Sequence, residues 1–193
     1  MAAFKNSYVM TNRTHPWNIV FDINPLPGGA MWFYMAPSPY DPEPVDYQAV
    51  AQSPSMTPPA PFLAALTADL HAQGSSPQLT VLIHGISTLL SDTIGGLSQV
   101  GNGLQHYGSY GGLVVAFDWP SYDEIESGLD YASGLYSFPP TATSGSIRGN
   151  VNGSTAAFGN LLAMIASLQA SLPGLQVNFI CHSEGNYMLM LGM

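Results

Sequence analysis

The chain has 193 residues, a length that suits one domain with a sizeable core. It carries 3 Lys and Arg residues against 12 Asp and Glu residues, a formal net charge of −9. So few cations exclude the basic surface that nucleic acid or an anionic membrane would need. With one cysteine, the chain can form neither an intrachain disulfide nor a cysteine cluster for zinc or iron–sulfur.

The lengths of the apolar segments indicate whether the chain is exported or crosses a membrane. Residues 1–13 lack the apolar core of a signal peptide. No run reaches the ~18 uninterrupted apolar residues that indicate a membrane helix. We therefore expect no membrane span and a cytoplasmic location by default, unless an export signal lies outside these residues.

The first third of the sequence predicts a hairpin followed by an irregular connection. Residues 18–23 and 30–35 are β-rich runs joined by the turn-forming residues 24–29, which predicts an antiparallel hairpin. Residues 36–61 contain eight prolines and predict an extended surface connection. A Pro-rich ligand for another domain is the alternative interpretation of that connection.

Helical and strand patterns alternate over the rest of the chain. Apolar residues at helical spacing indicate helices, and short continuous apolar runs are typical of strands that are covered on both faces of a parallel sheet. The order predicts an α/β fold with a mostly parallel sheet. The predicted helices cover about 62–73, 91–106 and 152–172, and the predicted strands cover 79–83, 113–117 and 177–180.

These elements are consistent with a single domain over residues 1–193. Its predicted parts are an N-terminal hairpin (1–35), the Pro-rich connection (36–61) and a core (62–193). Residues 122–146 mix tyrosines with Gly, Ser and Pro, and they predict an insertion over the top of the sheet. The insertion either forms an apolar wall for a substrate or covers the core.

Residues 177–186 are the segment around which the chain is organised. A short apolar strand is followed by Cys181, His182, Ser183, Glu184 and Gly185, and then by an apolar helical run. This is the layout of a nucleophile elbow, in which a serine occupies a strained strand-to-helix turn between two small residues. An ordinary strand–turn–helix with a surface serine gives the same pattern, so the pattern alone leaves both interpretations open.

Three segments together resemble the α/β-hydrolase fold, in particular an esterase-like branch of uncharacterised bacterial serine hydrolases. Residues 81–86 are similar to its His-Gly oxyanion strand, residues 117–121 to its Trp-Pro-Ser turn, and residues 181–186 to its His-Ser-x-Gly-Asn elbow. The match covers about 79–193, with the same order and spacing. It implies the N-terminal part of an α/β-hydrolase fold, with helices on both faces of the sheet.

The resemblance also implies roles for particular residues. Ser183 would be the nucleophile, and the backbone N–H groups of Ile86 and Glu184 would form the oxyanion hole. The supporting residues would be His84, Gly85 and Gly185. We expect hydrolysis of an uncharged, moderately apolar carboxylic ester, and neither a metal nor a cofactor, because no side-chain spacing fits one.

The sequence departs from this family after the elbow. In α/β-hydrolases the acid and the histidine of the triad follow the serine, but no histidine follows Ser183 here. We expect the acid and the histidine to come from outside this chain, from a second polypeptide that completes the fold, or the sequence to be a truncated product. Alternatively, the chain is a non-catalytic interaction module whose open sheet edge at residues 177–180 pairs with a partner.

Other ionisable residues have simpler interpretations. We expect His182 to be packed and hydrogen-bonded rather than a base, and Cys181 to be a small buried filler. Asp118 lines the pocket, orients a histidine or caps a turn, and the last role is favoured. The remaining histidines are expected at the surface: His15, His71 and His106.

Overall fold

A mixed six-stranded sheet forms the centre of the part of the chain that the computed structural model describes, residues 4–17, 24–85, 88–108, 110–121 and 147–193. The strands are β1 (Ser7–Thr11), β2 (Trp32–Ala36), β3 (Gln48–Ala49), β4 (Gln78–Ile83), β5 (Leu113–Asp118) and β6 (Gln176–Cys181). The helices are α1 (Ala60–His71), α2 (Leu90–Gly108), α3 (Ile147–Ser171) and α4 (Gly185–Gly192). The short 3-10 turns are Pro27–Gly29 and Pro44–Asp46.

The sheet is parallel over most of its width. Its strand order is β3-β2-β1-β5-β4-β6, and β1, β5, β4 and β6 run parallel. β2 pairs antiparallel with both β1 and β3 at one edge. The predicted α/β class, with a mostly parallel sheet and an antiparallel pair, is confirmed.

Helices cover both faces of the sheet, which explains why β4 and β5 are continuous apolar runs. On one face, α2 lies close to Leu82 at Gly96. On the other face, the ring of Phe158 in α3 contacts the rings of Phe117 and Phe179. The two-sided burial predicted for these strands is confirmed, since every residue of β5 is buried.

The antiparallel pair has a different first strand from the predicted one. The run at 30–35 does form a strand, β2, but its antiparallel partner is β1 at Ser7–Thr11. Residues 18–23, the predicted first strand, lie outside the described residues, as does the predicted insertion at 122–146. β1 shows no alternation of apolar and polar residues because it lies between β2 and β5 and is buried along its whole length.

A buried carboxylate ties β1 to α1. Asp69 is 3% exposed and accepts hydrogen bonds from the Tyr8 hydroxyl (2.8 Å), the Asn6 side chain (3.2 Å) and the Lys5 backbone (3.2 Å). Burial, together with the neighbouring Asp69, raises the pKa of Tyr8 far above its usual range. These contacts lie near the amino end of β1 and are remote from the carboxyl ends of the strands.

The Pro-rich connection contains two buried tyrosines. The hydroxyl of Tyr40 donates to the carbonyl of Gly112 and accepts from the N–H of Val114, both at 3.2 Å, so it joins the connection to β5. The hydroxyl of Tyr47 donates to the carbonyl of Asp41 at 3.1 Å. Burial raises the pKa of Tyr40 and of Tyr47 to about 12.

We expect the folded state to lose stability in alkali as these phenols ionise. Because the pKa values of Tyr40 and Tyr47 are raised by folding, their contribution is fully present below about pH 10 and is lost as the pH rises towards 12. A tyrosinate absorbance titration should show a late group of phenols that ionises together with the loss of helical circular dichroism. Ionisation of all the tyrosines in one early step, with the circular dichroism unchanged, would contradict this expectation.

One helix of the described part, the segment Val151–Ser171 within α3, is long and apolar enough to cross a membrane by length and composition. Its side chains at Phe158, Leu161, Ile165 and Leu168 are buried in the core. A core helix passes the same test, so the segment is only a weak candidate for a membrane span.

Candidate active site

The carboxyl ends of β4, β5 and β6 meet at a switch point of the sheet. β4 lies between β5 and β6 and leads into α2 on one face. β6 leads into α4, which packs against α3 on the opposite face. Loops that leave neighbouring parallel strands towards opposite faces open a crevice between them, and ligands of open α/β sheets bind in that crevice. The predicted elbow follows one of these two strands, and the predicted His-Gly segment follows the other.

Ser183 occupies a tight turn between β6 and α4. Its φ of 49° lies in the left-handed region, where only two of the described non-glycine residues are found. The turn is closed by hydrogen bonds from the N–H of Gly185 to the carbonyl of His182 (2.8 Å) and from the N–H of Asn186 to the carbonyl of Ser183 (3.0 Å). A non-glycine residue in this conformation costs about 1–3 kcal/mol and persists only where the surroundings impose it.

Two glycines allow the elbow to lie directly against the end of β4. A Cβ added to Gly185 would lie 2.7 Å from the carbonyl oxygen of Ile83 and 2.8 Å from that of His84. A Cβ added to Gly85 would lie 2.9 Å from Cβ of Ser183. All three distances are shorter than real side chains tolerate, so the close approach of the two strand ends requires glycine at both positions.

The predicted oxyanion donors are described in part. Glu184 is the N-cap of α4 and has helical backbone angles, so its N–H lies at the start of the first turn of the helix. Ile86 lies outside the described residues. The nearest described residues on its two sides, Gly85 and Thr88, are held by hydrogen bonds.

His84 anchors the loop that follows β4. Its ring is 7% exposed, with Nδ1 2.7 Å from the carbonyl oxygen of Gly85. Nε2 lies 3.0 Å from the N–H of Trp119, from which the neutral ring accepts, and 3.0 Å from Oδ1 of Asp118, to which the protonated ring donates. The indole of Trp119 stacks on the ring and donates to the carbonyl of His84 at 3.1 Å. Both ring nitrogens therefore have buried partners.

Ser121, His84 and Asp118 have the residue types of a catalytic triad, but they are enclosed. Ser121 is 0% exposed, and its hydroxyl accepts from the N–H of Thr88 (3.2 Å) and lies close to the carbonyl of Thr88 (3.2 Å). The same oxygen is 3.5 Å from Nδ1 of His84. A buried hydroxyl that is bonded on both sides to one backbone residue holds the loop and has no access to a substrate.

The sequence reasoning missed a buried ion pair below this loop. Nε of Arg13 donates to Oδ2 of Asp118 at 2.6 Å, and the two side chains are 2% and 0% exposed. Asp118 also accepts from the hydroxyls of Thr11 (2.5 Å) and Thr93 (2.8 Å). Burial by itself would raise the pKa of Asp118. The Arg13 guanidinium and the His84 ring outweigh this effect and hold the pKa well below its usual range. The favoured interpretation of Asp118 as a turn cap is wrong, because it connects β1, α2 and the loop after β4.

The sequence did contain one signal for this pair. The chain has only 3 Lys and Arg residues, and one of them, Arg13, lies two residues after the last residue of β1. A cation at the end of a central strand needs a buried carboxylate partner, and Asp118 ends the neighbouring strand β5.

The other histidines are exposed. His15, His71 and His106 lie at the surface, as predicted. His182 is also exposed, so the expectation that it is packed is wrong: the turn places its ring at the surface, beside Gly85 at the end of β4. Cys181 is half-buried, and burial raises the pKa of its thiol, which disfavours the reactive thiolate.

No known protein family, curated protein or solved structure matches this chain. Among the described residues, no group of three or more His, Cys, Asp and Glu side chains is placed to hold a metal ion. The functional argument therefore depends on the geometry of Ser183 and its surroundings.

Proposed function

We propose that the chain is part of an α/β-hydrolase and that Ser183 is the nucleophile for hydrolysis of uncharged carboxylic esters. The observation that carries the proposal is the left-handed backbone of Ser183, in a tight turn at the switch point of the sheet. An elbow uses that strained conformation to aim the hydroxyl out of the carboxyl edge of the sheet. The close approach of Gly85 to Cβ of Ser183 supports the proposal, because it brings the His-Gly loop beside the proposed nucleophile.

The proposed reaction is acyl transfer to water. Oγ of Ser183 bonds to the ester carbonyl carbon while its proton passes to a histidine, and the carbonyl electron pair moves onto the oxygen. Backbone N–H groups of Glu184 and Ile86 would stabilise that charge, which is typically worth ~10²–10³ in rate per donor. The alcohol leaves with the proton from the histidine. Water then adds to the acyl-enzyme by the same steps in reverse order and releases the acid.

The histidine and the acid are proposed to come from outside residues 1–193, in a second polypeptide or a further segment. His84 has buried partners at both ring nitrogens, which makes it a poor base. His71 and His106 lie in the last turns of helices α1 and α2, so they are near the amino edge of the sheet. His15 follows β1, which is three strands, or roughly 14 Å, from β6.

An uncharged ester fits the charges around the elbow. Of the two cations whose side chains the structure describes, Arg13 is 2% exposed and paired, and Lys5 precedes β1 at the other end of the strand. Neither is available to hold a substrate carboxylate. Glu184 adds a carboxylate directly beside Ser183, which disfavours an anionic substrate further.

The second candidate function is a non-catalytic interaction module. β6 is the last strand of the described sheet on its side, and its residues are only half-buried or exposed. The neighbouring helix α4 leaves Met190 74% and Leu191 42% exposed. An apolar, unpaired edge of this kind pairs readily with a strand of another polypeptide. The same edge would receive the segment that completes the hydrolase, so both functions predict a partner there.

Intact mass spectrometry with a fluorophosphonate tests the proposal. Oγ of Ser183 should bond to phosphorus with loss of fluoride, so the wild-type chain should gain one adduct. Ser183→Ala should gain none. The matched control, Ser167→Ala, removes an exposed serine on helix α3 and should label like the wild type.

The composition of the purified material decides between the two functions. A labelled chain with a co-purifying polypeptide supports a two-piece hydrolase, and that polypeptide should carry the acid and the histidine. If the chain is folded and stays unlabelled although a partner that carries a histidine co-purifies, the enzyme proposal fails and the interaction module takes its place.

A further inference from the structure

We propose that Arg13 is a positioning residue: it fixes the loop between β4 and α2 and thereby sets the reactivity of Ser183. The inference rests on the proposed function in one respect, the assignment of Ser183 as nucleophile. The other part of the inference is that Arg13 determines the position of this loop. That part depends only on the hydrogen bonds of Arg13.

The guanidinium of Arg13 reaches the loop directly. Its Nη2 donates to the carbonyl of Thr88 at 2.7 Å and to the carbonyl of Trp119 at 2.8 Å. Nη2 is also 3.0 Å from Oδ1 of Asp118, while Nε donates to Oδ2 of the same carboxylate. One planar group therefore binds the loop after β4, the turn after β5 and the last residue of β5.

The backbone on both sides of Ile86 is fixed through this cluster. The carbonyl of Thr88 is held by Arg13, and its N–H by the hydroxyl of Ser121. The carbonyl of Gly85 lies 2.7 Å from Nδ1 of His84, whose Nε2 faces Asp118. The segment that contains a proposed oxyanion donor is thus anchored at both ends to one buried ion pair.

The same segment touches the nucleophile. Gly85 lies so close to the elbow that an added Cβ would be 2.7 Å from Nδ1 of His182 and 2.9 Å from Cβ of Ser183. A shift of Thr88 would therefore be transmitted along the chain to Gly85, and from Gly85 to Ser183. Misplacement of reacting groups by ~1 Å can cost ~10²-fold in rate even when the change lies far from the chemistry.

Arginine is required at this position for geometric reasons. A guanidinium presents donors in a rigid planar fork, which matches two carboxylate oxygens on one side and carbonyl oxygens on the other. The ammonium of a lysine is a compact point charge that cannot span these acceptors. Arg13→Lys would therefore keep the charge opposite Asp118 and lose the contacts to Thr88 and Trp119.

The test compares two Arg13 variants with a control elsewhere in the fold. Arg13→Lys keeps the charge. Arg13→Met combined with Asp118→Leu removes both charges, so that no unpaired ion is buried. This double variant still tests the proposal if the lysine variant does not fold. The control, Asp69→Asn, weakens a buried carboxylate cluster at the opposite end of β1, away from the loop. Each variant is assayed below its unfolding transition.

The first measurement is the rate of inactivation by a fluorophosphonate at several inhibitor concentrations. It gives two quantities: the limiting rate of inactivation at saturation, and the inhibitor concentration at which half of that rate is reached. Both Arg13 variants should lower the limiting rate by ~10²-fold with little change in that concentration. Asp69→Asn should lower the melting temperature and leave the limiting rate unchanged. If the double variant reacts at the wild-type rate, the effect of Arg13 on Ser183 is overturned.

The second measurement, hydrogen exchange of the amides over residues 85–89, does not depend on catalysis. Both Arg13 variants should accelerate exchange in this segment, and Asp69→Asn should not. If the wild type is not labelled but the exchange result holds, the proposed function fails while the positioning role of Arg13 remains. Unchanged exchange in both Arg13 variants would overturn the positioning role itself.

Discussion

Asp118→Ala is expected to lower the free energy of unfolding by about 3–5 kcal/mol, because it leaves the guanidinium of Arg13 buried without a counter-ion. The substitution also removes the acceptor for the hydroxyls of Thr11 and Thr93. Among the described residues, the other hydrogen-bond partners of Arg13 are the carbonyls of Thr88 and Trp119. Neither is a carboxylate that could replace Asp118 as the counter-ion. The strand β1 and the start of α2 should both loosen.

Urea unfolding followed by circular dichroism measures this change. The double variant Arg13→Met/Asp118→Leu should recover most of the loss, since it buries no unpaired charge. Asp69→Ala is the matched control: it removes an equally buried carboxylate whose described partners are neutral donors, so it should cost only about 1–3 kcal/mol. A smaller loss for Asp118→Ala than for Asp69→Ala would contradict the role given to the ion pair.

The same pair sets an acid limit to stability. Folding lowers the pKa of Asp118, so its stabilisation is present above about pH 4 and is lost as the pH falls further. The double variant lacks this carboxylate, so the free energy of unfolding of the wild type should fall relative to that of the double variant in acid. A difference that does not change between neutral pH and strongly acidic pH would contradict the assignment.

Gly85→Ala is expected to lower the rate of acylation of Ser183 by roughly 10²–10³-fold, the range typical for loss of an oxyanion donor. The new methyl group would lie 2.7 Å from Nδ1 of His182 and 2.9 Å from Cβ of Ser183, so the loop and the elbow must separate. In the proposed reaction, this separation would draw the loop away from the carbonyl oxygen whose carbon Ser183 attacks. Overpacking of this kind also costs about 1–3 kcal/mol of stability.

Fluorophosphonate labelling rates and thermal unfolding measure both effects. The control is Gly95→Ala in α2, where an added Cβ meets no atom within 4 Å. That control should label at the wild-type rate and gain about 0.5–1 kcal/mol, because alanine suits a helix interior better than glycine. If Gly85→Ala is labelled at the wild-type rate, the position of this loop does not affect the reaction of Ser183, and the prediction is wrong.

Local patterns were sufficient for the parallel part of the sheet. The apolar runs at 79–83, 113–117 and 177–180 form β4, β5 and β6, and the predicted helices match α1, α2 and α3. Strands and helices of this kind are specified by the spacing of apolar residues within one segment, which the sequence displays directly. The small residues around Ser183 likewise predict a tight turn, and the structure contains one.

Only the tertiary structure decided the partners of these segments. β1 pairs with β2 and β5, although nothing in the sequence of residues 7–11 indicates which strands will be its partners. Arg13 and Asp118 are 105 positions apart and are brought together by the pairing of β1 with β5. Whether a polar side chain such as His84 or His182 is enclosed or exposed depends on neighbours from distant segments. Local propensity acts over a few residues, whereas burial and ion pairing are properties of the assembled sheet.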